Sequence, residues 1–140
     1  MNNATLISAI VTVLIVLTYF YMSISVGQMR GKHGIKAPAM TGHPEMERAV
    51  RVHYNTMEQM PIILPLLWLA TVYFHFDMLP WLPALFGLVW IIGRFIYRGA
   101  YMADPDKRGT GFLIAGLATV GLLLLGIIGI VQTAMAVNAA

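Results

Sequence analysis

The chain has 140 residues, of which 59% are hydrophobic and only 11% charged, and its mean hydropathy is +0.74. A soluble domain of this size needs more polar surface than these residues supply, and a chain this apolar does not stay disordered, so an integral membrane protein is what remains. The lack of cysteine excludes disulfides, thiolate metal sites and a cysteine nucleophile, and the net charge of +3 comes from nine Lys/Arg against six Asp/Glu.

A helix that crosses a bilayer needs about 20 mostly apolar residues. The first such stretch is uncharged from Met1 to Met29, which predicts a helix over 4–29. Met1-Asn2-Asn3-Ala4 carries no Lys or Arg and no small-residue cleavage site follows, so the segment reads as a span and not as a signal peptide. A second helix is predicted over 44–74, charged in its first half and apolar in its second. The chain must turn near His75 to Pro80, and Pro80 and Pro83 suit the start of a third helix over 80–102. Residues 103–109 form a polar turn, and an uncharged fourth helix covers 109–137. Gly116, Gly121, Gly126 and Gly129 along it either permit close packing or reflect the frequency of glycine in membrane helices. The expected architecture is an all-α integral membrane protein, a four-transmembrane-helix bundle in which 1–140 is a single domain.

Four spans place two loops on one side. The first loop and its flanks hold Arg30, Lys32, Lys36, Arg48 and Arg51, and the third loop with the end of helix three holds Arg94, Arg98, Lys107 and Arg108. These are all nine basic residues, so the positive-inside rule puts both loops in the cytoplasm and both termini outside.

Topology does not explain ionisable groups within the spans, which are costly there and usually face the bundle interior. On helix two, Arg48, Arg51, Asn55 and Glu58 share a narrow face; on helix three, Arg94, Tyr97, Arg98 and Tyr101 do the same. Both faces lie toward the cytoplasmic end, within reach of Arg30 and Arg108. The plain reading is an ion-pair network that fixes register, or basic side chains snorkelling to the interface. Counting favours more than that. One carboxylate, Glu58, stands among up to five arginines, and a cavity with such an excess of positive charge suits an anionic ligand. Glu58 itself suits an ammonium, so the pattern points to a small zwitterion with more than one acidic group. Pro61 and Pro65 follow Glu58; Pro61 frees the carbonyl of Met57, and a kink there opens space beside the polar face.

The run from Glu47 to Pro61, with Glu47, Arg48, Arg51, Asn55, Glu58 and Pro61 in the pattern E-R-x-x-R-x-x-x-N-x-x-E-x-x-P, resembles the helix-two signature of the MAPEG family. These are the membrane-associated proteins of eicosanoid and glutathione metabolism. Gly42-His43-Pro44-Glu45 before it also fits. The segment Gly93-Arg94-Phe95-Ile96-Tyr97-Arg98-Gly99-Ala100-Tyr101, with Arg108 seven residues on, resembles the helix-three segment of the same family. With length and four spans also in agreement, the resemblance covers nearly the whole chain. Helix two is most similar to the microsomal prostaglandin E synthase and microsomal glutathione transferase branch. Gln59 stands where the leukotriene branch has a tyrosine, and Gly109 where the prostaglandin branch has a serine.

The resemblance implies a homotrimer with glutathione bound between neighbouring subunits near the cytoplasmic face. Arg51, Asn55 and Glu58 would bind the peptide, with Glu58 on its ammonium group. Arg30, Arg94 and Arg98 would meet its carboxylates, Tyr97 and Tyr101 would line the site, and Arg108 would stabilise the thiolate, with Tyr101 or Arg94 as the other candidates for that role. The implied activity is a glutathione transferase acting on a lipophilic electrophile that enters from the bilayer, with peroxidase or isomerase activity as family variants. For a bacterial-type member the implied location is the inner membrane.

Two other classes fit less well. A small proton-coupled transporter would use Glu58 as its carrier, but such proteins keep the carboxylate in helix one, and nearby arginines hold an acid ionised. A non-catalytic scaffold would use the polar faces only to lock register. No metal is expected: His33, His43 and His75 lie in loops without ligand spacing, and His53 lies opposite the Arg51–Asn55–Glu58 face. No nucleic-acid motif occurs.

Overall fold

The computed structural model describes residues 3–76 and 78–139. Asp77, the charge expected in the second loop, and the extreme ends of the predicted 1–140 domain lie outside the described residues. Those described form helices α1 (Asn3–Lys32), α2 (Pro44–Tyr73), α3 (Leu82–Ala103) and α4 (Gly109–Asn138), with a 3-10 turn at Pro105–Arg108 and no strand.

The helix ends follow local chemistry. α1 continues past residue 29 because Arg30 and Lys32 suit the negative end of the helix dipole. It stops where Gly34, at φ 63, takes the left-handed conformation. α2 opens on His43, whose Nδ1 accepts from the Glu45 amide at 3.2 Å, followed by Pro44 in the first turn. It runs without a break through Pro61 and Pro65. α3 begins at Leu82 and not at 80, because turn hydrogen bonds Leu79 N–H to Phe76 O and Leu82 N–H to Leu79 O wind up the residues before it. Pro83 then falls in its first turn, where a missing N–H costs nothing. Asp104 accepts from the Asp106 amide at 3.1 Å and starts the 3-10 turn.

The core sits between the four helices. Val11, Ile15, Ile63, Leu67, Ala84, Trp90, Ala115, Ala118 and Leu122 are buried together, and Met22, Val52 and Tyr97 form a second cluster. α1 packs on α2 and α3, α2 also meets α3 and α4, and α3 and α4 make the most extensive pairing. Small residues allow that last approach. A Cβ on Gly93 would stand 2.6 Å from the Ala115 amide nitrogen, and one on Gly111 would collide with the backbone of Tyr97. Of the glycines noted on helix four, Gly121 faces Phe86 and Gly129 abuts the backbone of Tyr73, whereas Gly116 is open.

The outward faces are apolar, with Ile10, Val13, Leu17, Leu113, Leu117, Val120 and Leu124 all exposed. Such area in water would be an aggregation surface; facing lipid it needs no cover. α1, α3 and the segment Pro105–Asn138 are long and apolar enough to cross a membrane. α2, whose first half carries Glu45, Glu47, Arg48, Arg51 and Glu58, does not reach that standard.

Candidate functional site

Polar residues of α2 and α3 converge with the start of α4 on an open cleft of about 380 Å³, lined by Arg51, Asn55, Tyr97, Tyr101, Arg108, Gly109 and Phe112. Arg51 and Asn55 lie one helical turn apart on α2, and Tyr97 and Tyr101 one turn apart on α3, with ring centres 5.4 Å from each other. Arg108, at the end of the 3-10 turn, lies over the Tyr101 ring at 5.6 Å. Among the described residues, two guanidiniums and two phenols thus face the cleft and no carboxylate lines it.

Glu58 stands at the edge. Its Oε1 is 3.9 Å from Arg51 Nη1, and the two side chains are 54% and 58% exposed in the isolated chain. Among the described residues of a single chain, Glu58 is therefore exposed and paired with Arg51 alone, not buried among five arginines. Glu58 lies two turns from Arg51 on the outer face of α2, clear of the bundle interior.

Arg94 also differs from expectation. It is fully buried at 0% exposure and does not line the cleft. Its Nη1 donates to Asn55 Oδ1 at 3.0 Å and its Nη2 to Thr56 Oγ1 at 2.8 Å, while its guanidinium carbon lies 4.3 Å from the centre of the Tyr97 ring. Trp90 donates to Gln59 Oε1 at 3.0 Å one turn below. Arg94 thus holds Asn55 and Tyr97 from behind the cleft wall.

Arg98 and Arg30 lie elsewhere. Arg98 turns toward α1 and donates to Ser25 Oγ at 3.0 Å. Arg30 bonds the Ile35 carbonyl at 3.4 Å and lines a separate hollow with Val26, Met40, Val50, His53 and Tyr54. His53 stacks on Tyr19 of α1 at 5.1 Å, away from the cleft, as its helical position implies.

Two residues enter that spacing alone did not single out. Phe112 follows Arg108 by four positions and so shares its side of the chain, a signal that was available. Thr56 is the second partner of Arg94, and no helical pattern marks it. Phe112 also belongs to an adjoining apolar recess of about 190 Å³ with Gln59, Ile62, Gly116 and Thr119, so cleft and recess share a wall.

At the loop between α1 and α2, His33, His43 and Glu45 converge, with one potential ligand atom of each within 4.8 Å of the others. The linear spacing hid this grouping. Glu45 is already engaged by Lys32 and by His33 Nε2 at 2.9 Å, and His43 caps α2. The hydrogen bonds from Lys32 and then His33 hold the Glu45 carboxyl down at about 2, well under its ordinary range. The group ties the end of α1 to the start of α2.

Residues 8–128 match the sequence profile described as the MAPEG family. Among curated proteins, microsomal glutathione S-transferase 2 of Homo sapiens is 36% identical over 94% of this chain and 86% of its own length. Leukotriene C4 synthase of Cavia porcellus is 36% identical over 88% of this chain and 85% of its own. An uncharacterized protein of Synechocystis is 38% identical over 83% and 82% respectively. The transferase and the leukotriene enzyme stand at the same identity, so the helix-two motif by itself does not select a branch.

Proposed function

This chain belongs to the MAPEG family, and on that footing we propose that it is a membrane-bound glutathione transferase. The observation that carries the reading is the cleft: Arg51 and Arg108 face it, Asn55 is fixed by a buried arginine, and no acid lines it. Glutathione has two carboxylates, one ammonium group and one thiol. Arg51 takes a carboxylate, with Asn55 beside it. Glu58, at the cleft edge beside Arg51, takes the ammonium. Tyr97 and Tyr101 form the floor, and Arg108 holds the sulfur.

A free thiol has a pKa near 8.5, and an adjacent guanidinium favours its thiolate. The thiol proton leaves to solvent; the sulfur pair then attacks the electrophilic carbon and the leaving group departs with its bonding pair. The protein needs no nucleophile of its own, in keeping with its lack of cysteine. The lipophilic partner enters along the recess beside Phe112, where Gly116 leaves room. Reduction of lipid hydroperoxides uses the same thiolate. Gly109 leaves the cleft without a hydroxyl at the position after Arg108, which disfavours a dedicated endoperoxide isomerase.

Residues 1–140 act as one unit in this reading. α2 is the fourth span through its apolar half, with both termini outside and the cleft at the cytoplasmic end of a bacterial inner membrane. The assembly is a homotrimer. Arg30 and His53, on the far side of α2 from the cleft, then serve a neighbouring subunit, whose contact also covers Glu58.

The test is a glutathione titration of detergent-purified protein, followed by conjugation to an electrophilic aromatic halide. Saturable binding and turnover are expected. No binding at millimolar glutathione overturns the proposal; binding without turnover transfers the site to a scaffold or sensor.

A further inference from the structure

α3 carries two arginines one turn apart, and the cleft accounts for only Arg94. Arg98 donates through Nη2 to Ser25 Oγ, its guanidinium carbon lies 4.8 Å from the centre of the Tyr21 ring, and its Nε is buried without a hydrogen-bond partner. Among the described residues the ion pairs are Lys32–Glu45, His33–Glu45, Arg51–Glu58 and Lys107–Asp104, so no carboxylate neutralises Arg98. A partly buried cation with no acidic partner is unfavourable until an anion joins it.

Below Arg98 the seam between α1 and α3 opens into an apolar groove of about 660 Å³, lined among others by Leu14, Leu17, Tyr21, Leu88, Ile92 and Phe95. Leu14 to Tyr21 and Leu88 to Phe95 each cover two turns, roughly 10 Å of helix. Arg98 follows Phe95 by one turn and caps the groove at one end. Its Cα lies roughly 8 Å of helical rise from the end of α3, the depth from which long basic side chains reach lipid head groups. Both helices are long and apolar enough to cross a membrane.

We propose that the α1–α3 groove holds one anionic phospholipid, with its phosphate on Arg98 and an acyl chain along Leu14, Leu17, Leu88 and Ile92. A guanidinium fork matches a phosphate, and no carboxylate among the described residues pairs with Arg98. The rest of the lining is almost wholly apolar and suits a hydrocarbon chain better than a polar solute. A choline head group would bring its own cation toward the guanidinium; a glycerol head group does not. The groove shares no lining residue with the glutathione cleft, and lipid binding is independent of turnover.

The full chain is reconstituted into bilayers of equal phosphatidylglycerol and phosphatidylcholine, then released for native mass spectrometry. One retained lipid per subunit is expected, with phosphatidylglycerol favoured by roughly five-fold, the equivalent of about 1 kcal/mol for one basic residue at the interface. Arg98→Gln brings the ratio to about one, whereas Lys36→Gln, in the first loop, leaves it unchanged. Leu17→Trp, which keeps Arg98 and its Ser25 bond, fills the groove and lowers retention of both lipids. Equal retention by the wild type, an unchanged ratio in Arg98→Gln, or undiminished retention in Leu17→Trp overturns the proposal. So does an absence of retained lipid with cross-linking between groove residues of two copies, which assigns the groove to subunit contact.

Discussion

Arg94 and Arg98 are four residues apart on α3, yet they serve different neighbouring helices. Arg94 is sealed between α2 and α3 and spends its donors on Asn55 and Thr56. Arg98 leans over Tyr21 of α1 and keeps one donor unused. The 40° between their Cβ directions is small, but a long side chain continues toward whichever helix offers an oxygen. Position on a helical wheel gives a direction, and the neighbouring helices decide what lies along it.

The contrast between a cleft built on α2, α3 and α4 and a seam built on α1 and α3 can be broken experimentally. Arg108→Ala, which acts only on the cleft, is expected to keep glutathione binding but lose the ultraviolet absorbance of the thiolate. Its turnover falls by about 100-fold or more, the scale for losing one charge-stabilising donor. Unchanged thiolate absorbance would move that role to Tyr101 or Arg94. Gly111→Val forces α4 off the Tyr97 backbone, and thermal unfolding in detergent is expected to show a loss of about 3 kcal/mol. Arg94→Met removes the buried donor to Asn55 and Thr56, leaving Asn55 only the longer bond from Gln59 at 3.5 Å; a loss of about 2 kcal/mol is expected, with weaker glutathione affinity in calorimetry because Asn55 is loosened. The same substitution leaves lipid retention at the α1–α3 seam unaltered, which separates the two arginines.

The smallest effect belongs to the loop. The Glu45 carboxyl titrates at about 2 in the folded chain, below its ordinary 4.5. A lowered carboxyl stabilises the fold above its unfolded value, and that share is lost as pH falls from about 4.5 toward 2. Glu45→Gln is therefore expected to flatten the acid limb of a melting-temperature profile over that window and to leave it unchanged at neutral pH.

The helices were legible because charge-free runs and prolines mark them directly. Their ends were less so: Arg30 and Lys32 mark a membrane edge, but the helix runs on through both to the glycine that stops it. The cleft was legible in part. Arg51 and Asn55 on one helix, and Tyr97 and Tyr101 on the next, come together with Arg108 because their period matches the face each helix turns inward. The burial of Arg94 was not legible, since its partners are the neutral Asn55 and Thr56 and no charge pattern announces a neutral partner. The separation of Arg30 from the cleft depends on α1 lying beside α2 on the side away from α4, an order of packing that no single helix encodes.

The glycine contacts between α3 and α4 have a mechanical consequence. Where Gly93 meets Ala115 and Gly111 meets Tyr97, the two backbones touch and cannot slide without collision. Tyr97, Tyr101, Arg108 and Phe112 therefore ride on one stiff jaw, while Arg51 and Asn55 belong to the opposing one on α2. Arg94 is the pin between them, rooted in one jaw and bonded to the other. Any tilt of α2 against the α3–α4 pair would have to stretch or break the Arg94 bonds to Asn55 and Thr56, which ties the gape of the cleft to that buried pin.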